Sequence, residues 1–129
     1  MKITRFEDIK AWQEARELVK LVYEAINSNQ RFSKDLRLVG QIQGASVSSM
    51  SNIAEGFARK GKKEFVQYLF ISKSSAAEVQ SHLYVAIDQA YITKEVFDRI
   101  YGQAEKVAKM DSGFIKYLNS ELKKPTRPM

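Results

Sequence analysis

The sequence predicts an all-α protein, an antiparallel up-down-up-down four-helix bundle, and three observations carry that expectation. Apolar residues recur at steps of three and four through four long segments. No segment alternates with the period of two that a half-buried strand shows. The prolines stand at positions 125 and 128, beyond the last helical segment. Short links between the segments force neighbouring helices to run antiparallel. At 129 residues and 44% hydrophobic, the chain suffices for one core and not for two. Residues 1–122 are expected to form the bundle, and 123–129 (KKPTRPM) a basic, proline-broken, mobile tail.

In the first helix Phe6 precedes a stripe of Ile9, Trp12, Val19, Val22 and Ile26, flanked by Ala11, Ala15, Leu18 and Ala25. Glu7 and Asp8 fall in its first turn, where the helix dipole favours negative charge, and it ends near Asn27–Asn29. Ser33 is the expected N-cap of the second helix, which carries Leu36, Val39, Ile42, Val47, Met50, Ile53 and Phe57. Gly44, Ala45, Ser46, Ser48, Ser49, Ser51 and Ala54 lie between them, small enough for another helix to come close. Gly61 is the expected break. The third helix then runs from about Lys62 to Ala90, with Phe65, Tyr68, Leu69, Ala76, Val79, Leu83, Ala86 and Ile87 at core spacing. Thr93 caps the fourth, where Val96, Ile100, Ala104, Val107, Phe114, Ile115, Leu118 and Leu122 continue the pattern. Gly102 and Gly113 weaken it by up to roughly 1 kcal/mol each relative to alanine. Phe65, Tyr68, Phe70, Tyr84, Tyr91, Phe97, Tyr101, Phe114 and Tyr117 are more aromatics than one interior needs, which points to self-association.

Twenty-one basic against fifteen acidic residues leave a net charge of +6, which favours an anionic partner, nucleic acid before a membrane surface. There is no cysteine, so disulfides and thiolate chemistry are excluded and a reducing cytoplasm is compatible. No apolar run approaches the ~20 residues of a membrane span, and MKITRFEDIK lacks the apolar core of a signal peptide. A soluble, unprocessed, cytoplasmic protein without a membrane partner is expected.

Residues 56–62 (GFARKGK) match the spacing of a phosphate-binding loop, yet Lys63 stands where a Ser or Thr holds magnesium, and a helix instead of a strand precedes them. Nucleotide hydrolysis is set aside on both grounds. Ser48, Asn52, Glu55 and Arg59, spaced 4, 3 and 4, share one stripe of the second helix, and Glu78 of the third approaches it if the two run antiparallel. Together they are expected to form a structural polar network. No nucleophile stands beside a base, no metal-ligand cluster or cofactor motif is present, and the sole histidine, His82, reads as structural. The basic turn carries more. Arg59 and Lys60 end one helix, where cations are welcome, while Lys62 and Lys63 begin the next, where the dipole opposes them. A phosphate on the free N–H groups there would reverse that penalty. Arg59, Lys60, Lys62 and Lys63, with Lys123, Lys124 and Arg127 of the tail, are the expected nucleic-acid contacts.

Several of these motifs carry a resemblance. Phe6-x-Asp8-Ile9 with Trp12-Gln13-x-Ala15, the run Ser51-Asn52-Ile53-Ala54-Glu55-Gly56, then Lys63-Glu64-Phe65 and Glu78 resemble the 23S ribosomal RNA intervening sequence proteins, or S23 family. More distantly, the chain is similar to the accessory variability determinant proteins of diversity-generating retroelements. The match runs from about Ile3 to Leu122, and the run NIAEG is its most specific element. The resemblance implies a helical bundle assembled into a homopentameric ring with basic surfaces, encoded in some bacteria within inserts of ribosomal RNA genes. In the retroelement relatives it implies a pentamer that binds a reverse transcriptase and nucleic acid. The family's polar residues map onto Asn52, Glu55, Arg59 and Glu78. Gly44 and Ser51 depart from it, standing where arginine and proline are usual.

The expected function is that of a non-enzymatic, homo-oligomeric bundle binding RNA or DNA through basic surface, mostly without sequence specificity. The alternative is an oligomeric scaffold for a partner protein such as a reverse transcriptase.

Overall fold

The computed structural model describes residues 2–125. After a single 3-10 turn (Phe6–Asp8) come α1 (Lys10–Asn27), a short α2 (Gln30–Lys34), α3 (Leu36–Ala58), α4 (Lys62–Asp88) and α5 (Lys94–Leu122). The four long helices form the bundle, and no strand occurs among the described residues. α4 packs between α3 and α5, and α1 closes the square against the same two helices. Each long helix supplies fully buried aliphatics, among them Leu18, Ile53, Leu69, Leu83 and Val107. Burying one such side chain stabilises the fold by roughly 1.5–3 kcal/mol.

The helix starts differ from expectation in two places. Asp8 does not lie in the first turn of α1. Its Oδ2 accepts from the Thr4 amide and hydroxyl and from the Arg5 amide, at 3.1, 3.1 and 3.3 Å, and so fastens the entering segment. Those bonds, the Thr4 amide foremost, hold its carboxyl below the usual carboxylate range. Ile9 is the N-cap of α1 and Glu7 lies in the 3-10 turn before it, with Phe6 set edge-on to Trp12 at 5.1 Å. Ser33 caps nothing; it lies inside α2 and its hydroxyl donates to the Gln30 carbonyl. Asn29 caps α2 through the Phe32 amide, and Asp35 caps α3 through the Leu38 amide at 3.2 Å. The chain makes its one reversal between α1 and α3 in two turns, one on either side of α2, and each helix start takes its own cap.

α3 buries Ser46 and Ser49 completely, whereas Leu36 is 77% exposed and Val47 is also exposed. The inward row is Leu38, Ile42, Ala45, Ser46, Ser49, Ile53 and Gly56. Close approach of α4 therefore depends on hydroxyls meeting hydroxyls and on Gly56, where a Cβ would lie 2.7 Å from the Tyr68 Cβ and 2.8 Å from the Phe65 ring. Gly44, expected in that contact, is exposed and faces open space. Leu122, expected on the core stripe of the last helix, is also exposed.

Both turns around α4 use a left-handed residue that is not glycine. At its far end Ala90 (φ 60°) donates to the Ile87 carbonyl and Tyr91 to the Ala86 carbonyl, a Schellman closure. At its near end the left-handed residue is Lys60 (φ 64°), one position before the expected break. Gly61 is extended (φ −113°), serves as N-cap of α4, and leaves the amides of the first turn without a side-chain cap. Thr93 caps α5 as expected, its Oγ1 accepting from the Val96 amide at 3.1 Å.

Candidate nucleic-acid interface

Antiparallel packing brings the α3–α4 turn beside the end of α5. Glu121 of α5 joins them, with Lys62 Nζ at 3.7 Å from one carboxylate oxygen and Lys124 Nζ at 2.6 Å from the other. The bond from Lys124 is the main reason that the Glu121 carboxyl sits below its usual range, and Glu121 in turn raises the Lys124 ammonium. Turn and tail cations, about 60 residues apart in sequence, thus share one end of the bundle. Arg127 lies outside the described residues.

Arg59 is the C-cap of α3. Its guanidinium donates to Glu55 Oε1 at 3.3 Å and lies 5.3 Å from the centre of the Tyr68 ring, whose hydroxyl reaches the same carboxylate oxygen at 3.4 Å. Glu55 raises the Arg59 pKa still further above neutrality. Lys60, Lys63 and Lys123 have no carboxylate of a described residue within ion-pair distance, so their charge is open to an external anion. Gly56, Phe57, Lys60, Gly61, Lys62 and Phe65 line a shallow concavity of about 190 Å³ beside these cations. Glu64, in the first turn of α4, folds back toward Gly61 and adds a negative charge beside this concavity.

The expected polar stripe divides in two. Asn52 Nδ2 donates to the Ser48 carbonyl at 2.8 Å and to its hydroxyl at 3.0 Å, and that hydroxyl meets Ser75 Oγ at 3.0 Å. Glu55 and Arg59 form a separate, exposed pair. Glu78 joins neither; it is exposed and stands 3.5 Å from His82 Nε2, its neighbour one turn on. α4 turns Glu78 away from α3 because Ser72, Ser75 and Val79 occupy its inward row.

Sequence reasoning missed Asp111. This fully buried carboxylate of α5 accepts from Ser72 Oγ at 2.6 Å, and Ser72 Oγ lies 3.0 Å from Ser49 Oγ. When the Asp111 carboxyl is ionised, the single Ser72 proton is committed to it and Ser49 then donates to Ser72. Asp111 Oδ1 has no partner. Burial pushes the carboxyl up to about 7, against the smaller opposing pull of Ser72 and Lys73. Its signal was present in the sequence: a carboxylate at the three-four spacing of Ala104, Val107, Ile115 and Leu118.

Among the described residues no group of His, Asp and Glu is arranged to hold a metal ion, and no helix is long and apolar enough to cross a membrane. What the basic end can do is bind anions, through mobile ammonium groups, one fixed guanidinium and uncapped helix amides.

Residues 7–113 match the sequence profile of a family described as 23S rRNA-intervening sequence protein. No protein with a curated description matches the chain. Among solved structures, the chain is similar to a protein of unknown function from the S23 ribosomal protein family of Bacteroides thetaiotaomicron. The two share 25% identity with a TM-score of 0.69, over 83% of this chain and 95% of the other.

Proposed function

The chain belongs to the 23S rRNA-intervening sequence protein family, and from that premise we propose that it is a non-enzymatic, homo-oligomeric bundle that holds RNA or DNA against its basic end. The observation that carries the reading is the convergence of Arg59, Lys60, Lys62 and Lys63 with Lys123 and Lys124, three of them free of ion pairs to described residues. Binding is electrostatic. Ammonium groups displace the counterions condensed on phosphates, which gives affinity with little sequence preference. Assembly, into five subunits as the family resemblance implies, multiplies weak protomer contacts into useful avidity. The protein acts in the cytoplasm, where its cysteine-free sequence is at home.

The test is a titration of single-stranded RNA and duplex DNA at two salt concentrations, with the wild type and with Arg59, Lys60, Lys62 and Lys63 all changed to Gln. Wild-type affinity is expected to fall steeply with salt. The variant's log–log slope should be shallower by roughly 0.7 to 0.9 for each phosphate that it no longer neutralises. An unchanged slope removes the turn from the interface. A second reading, a scaffold for a partner protein such as a reverse transcriptase, is favoured by the exposed Phe70, Ile71, Tyr84 and Val85. It gains if the wild type shows no salt-dependent binding of nucleic acid.

A further inference from the structure

The outward face of α4 does not look like the solvent side of a bundle helix, which is normally charged. Phe70, Ile71, Tyr84 and Val85 stand on it between 44% and 54% exposed. Between those two apolar pairs, along the middle of the face, lie Ser74, Ala77 and Ser81, all exposed. From Gln67 the face advances by alternating steps of three and four, through Phe70, Ser74, Ala77 and Ser81 to Tyr84, with no charge along its centre. That alternation is the seam spacing of two helices packed side by side.

The pattern also reads the same in both directions. About a point between Ala77 and Glu78, Phe70–Ile71 mirrors Tyr84–Val85 and Ser74 mirrors Ser81. The charges that end the face are opposite in sign, and their midpoint lies two residues before that centre. Lys63 lies in the first turn of α4 and Asp88 in the last, each at the end where its own helix dipole opposes it, and neither has an ion-pair partner among the described residues. An antiparallel copy brings Asp88 of one protomer within about one helical turn of Lys63 of the other, and each charge to the dipole end that favours it. A parallel copy sets like against like.

We propose that this face is a self-association seam, on which a second copy of this chain lays its α4 antiparallel about a two-fold axis beside Ala77. The small central residues let the helices come close, and the apolar pairs at either end cover one another. This rests on the homo-oligomeric reading above and adds a second interface to it, in which Lys63 faces Asp88 of the other copy while Lys60 and Lys123 stay free for an anion. A two-fold interface cannot close a ring of five, so it yields a dimer or joins two rings. Glu78 meets its own counterpart at the rim near the axis, the one like-charge approach in this register.

The chain has no cysteine, so a single introduced thiol reports position without ambiguity. Under mild oxidation Ala77→Cys is expected to give a disulfide-linked dimer, and Lys109→Cys on the exposed side of α5 to stay uncrosslinked. In light scattering, Phe70→Glu/Val85→Glu should lower the mass to that of the unpaired particle while helicity is retained, with the dissociation constant raised roughly tenfold or more. Lys63→Glu or Asp88→Lys alone should weaken pairing several-fold, the two together should restore it, and Glu78→Gln should tighten it. An oligomer whose mass is untouched by the α4 substitutions, with Ala77→Cys no more crosslinked than Lys109→Cys, overturns the seam and leaves the homo-oligomer standing. A wild type that is monomeric at every concentration overturns both.

Discussion

Two polar chains cross the joint between α3 and α4, one sealed and one open, and they differ in what they commit the protein to. Ser49, Ser72 and Asp111 are fully buried, and one oxygen of the Asp111 carboxyl has no hydrogen-bond partner among the described residues. Ser48, Asn52 and Ser75 use similar groups at similar distances, with Ser48 and Asn52 only partly buried. Water can complete the second set and cannot reach the first. The difference shows why hydroxyls alone, at either depth, are cheap to bury in a helix joint, whereas one carboxylate makes the joint sensitive to pH.

The largest test of that contrast is titration. Below about pH 4 the folded and unfolded chains both hold the Asp111 proton, and its contribution is at its best. Between the ordinary value of 3.8 and the folded value of about 7 the unfolded chain has released the proton and the folded chain has not. Stability from this group therefore falls as pH rises, by at most about 1.4 kcal/mol per unit and a few kcal/mol in all, and levels off above about pH 7. Urea unfolding from about pH 4 to 8 should show the decline in the wild type and lose it in Asp111→Asn. Next in size, Ser72→Ala removes the only hydrogen-bond donor to Asp111 among the described residues and should cost about 1–3 kcal/mol, more at about pH 8 than at about pH 5. In the open chain Asn52→Ala should cost only about 0.5–1 kcal/mol, with no dependence on pH over the same range. Smallest of all, Arg59→Ala should leave the melting temperature unchanged, because its pair with Glu55 is exposed, yet weaken nucleic-acid binding. A pH-dependent loss at Asn52, or none at Ser72, would break the distinction between the two chains.

Much of the fold was legible because the signals are local and repeated. Period-3.6 stripes gave four helices, the Thr93–Val96 spacing gave a cap, and the cations of residues 59–63 fell where a turn had to be. What was not legible depended on competition or on partners distant in sequence. Ser33 and Asp35 are both good caps, and only the second turn, after α2, decides for Asp35. Gly61 is the break that the sequence suggests, but the left-handed residue is Lys60 and the glycine serves as the helix start. For the candidate site, the turn cations could be chosen from the sequence, but not the bridge through Glu121 that links them to the end of α5, since it joins residues about 60 apart. Glu78 was assigned to the α3 stripe from a helix orientation that is correct and a rotation that is not. Asp111 was readable and overlooked, because a carboxylate on an apolar stripe is easily taken for a surface residue.

Gly56 is fixed by what it lacks. A methyl there would have to displace Tyr68 and Phe65, the side chains on which the turn rests. Tyr68 also carries the Arg59 guanidinium, and Lys63 lies in the first turn of the helix from which Tyr68 projects. The absent side chain therefore acts as a spacer of zero thickness that sets how far Arg59 stands from Lys63. The placement of those two cations is thus tied to packing inside the helix joint, three residues before the first of them.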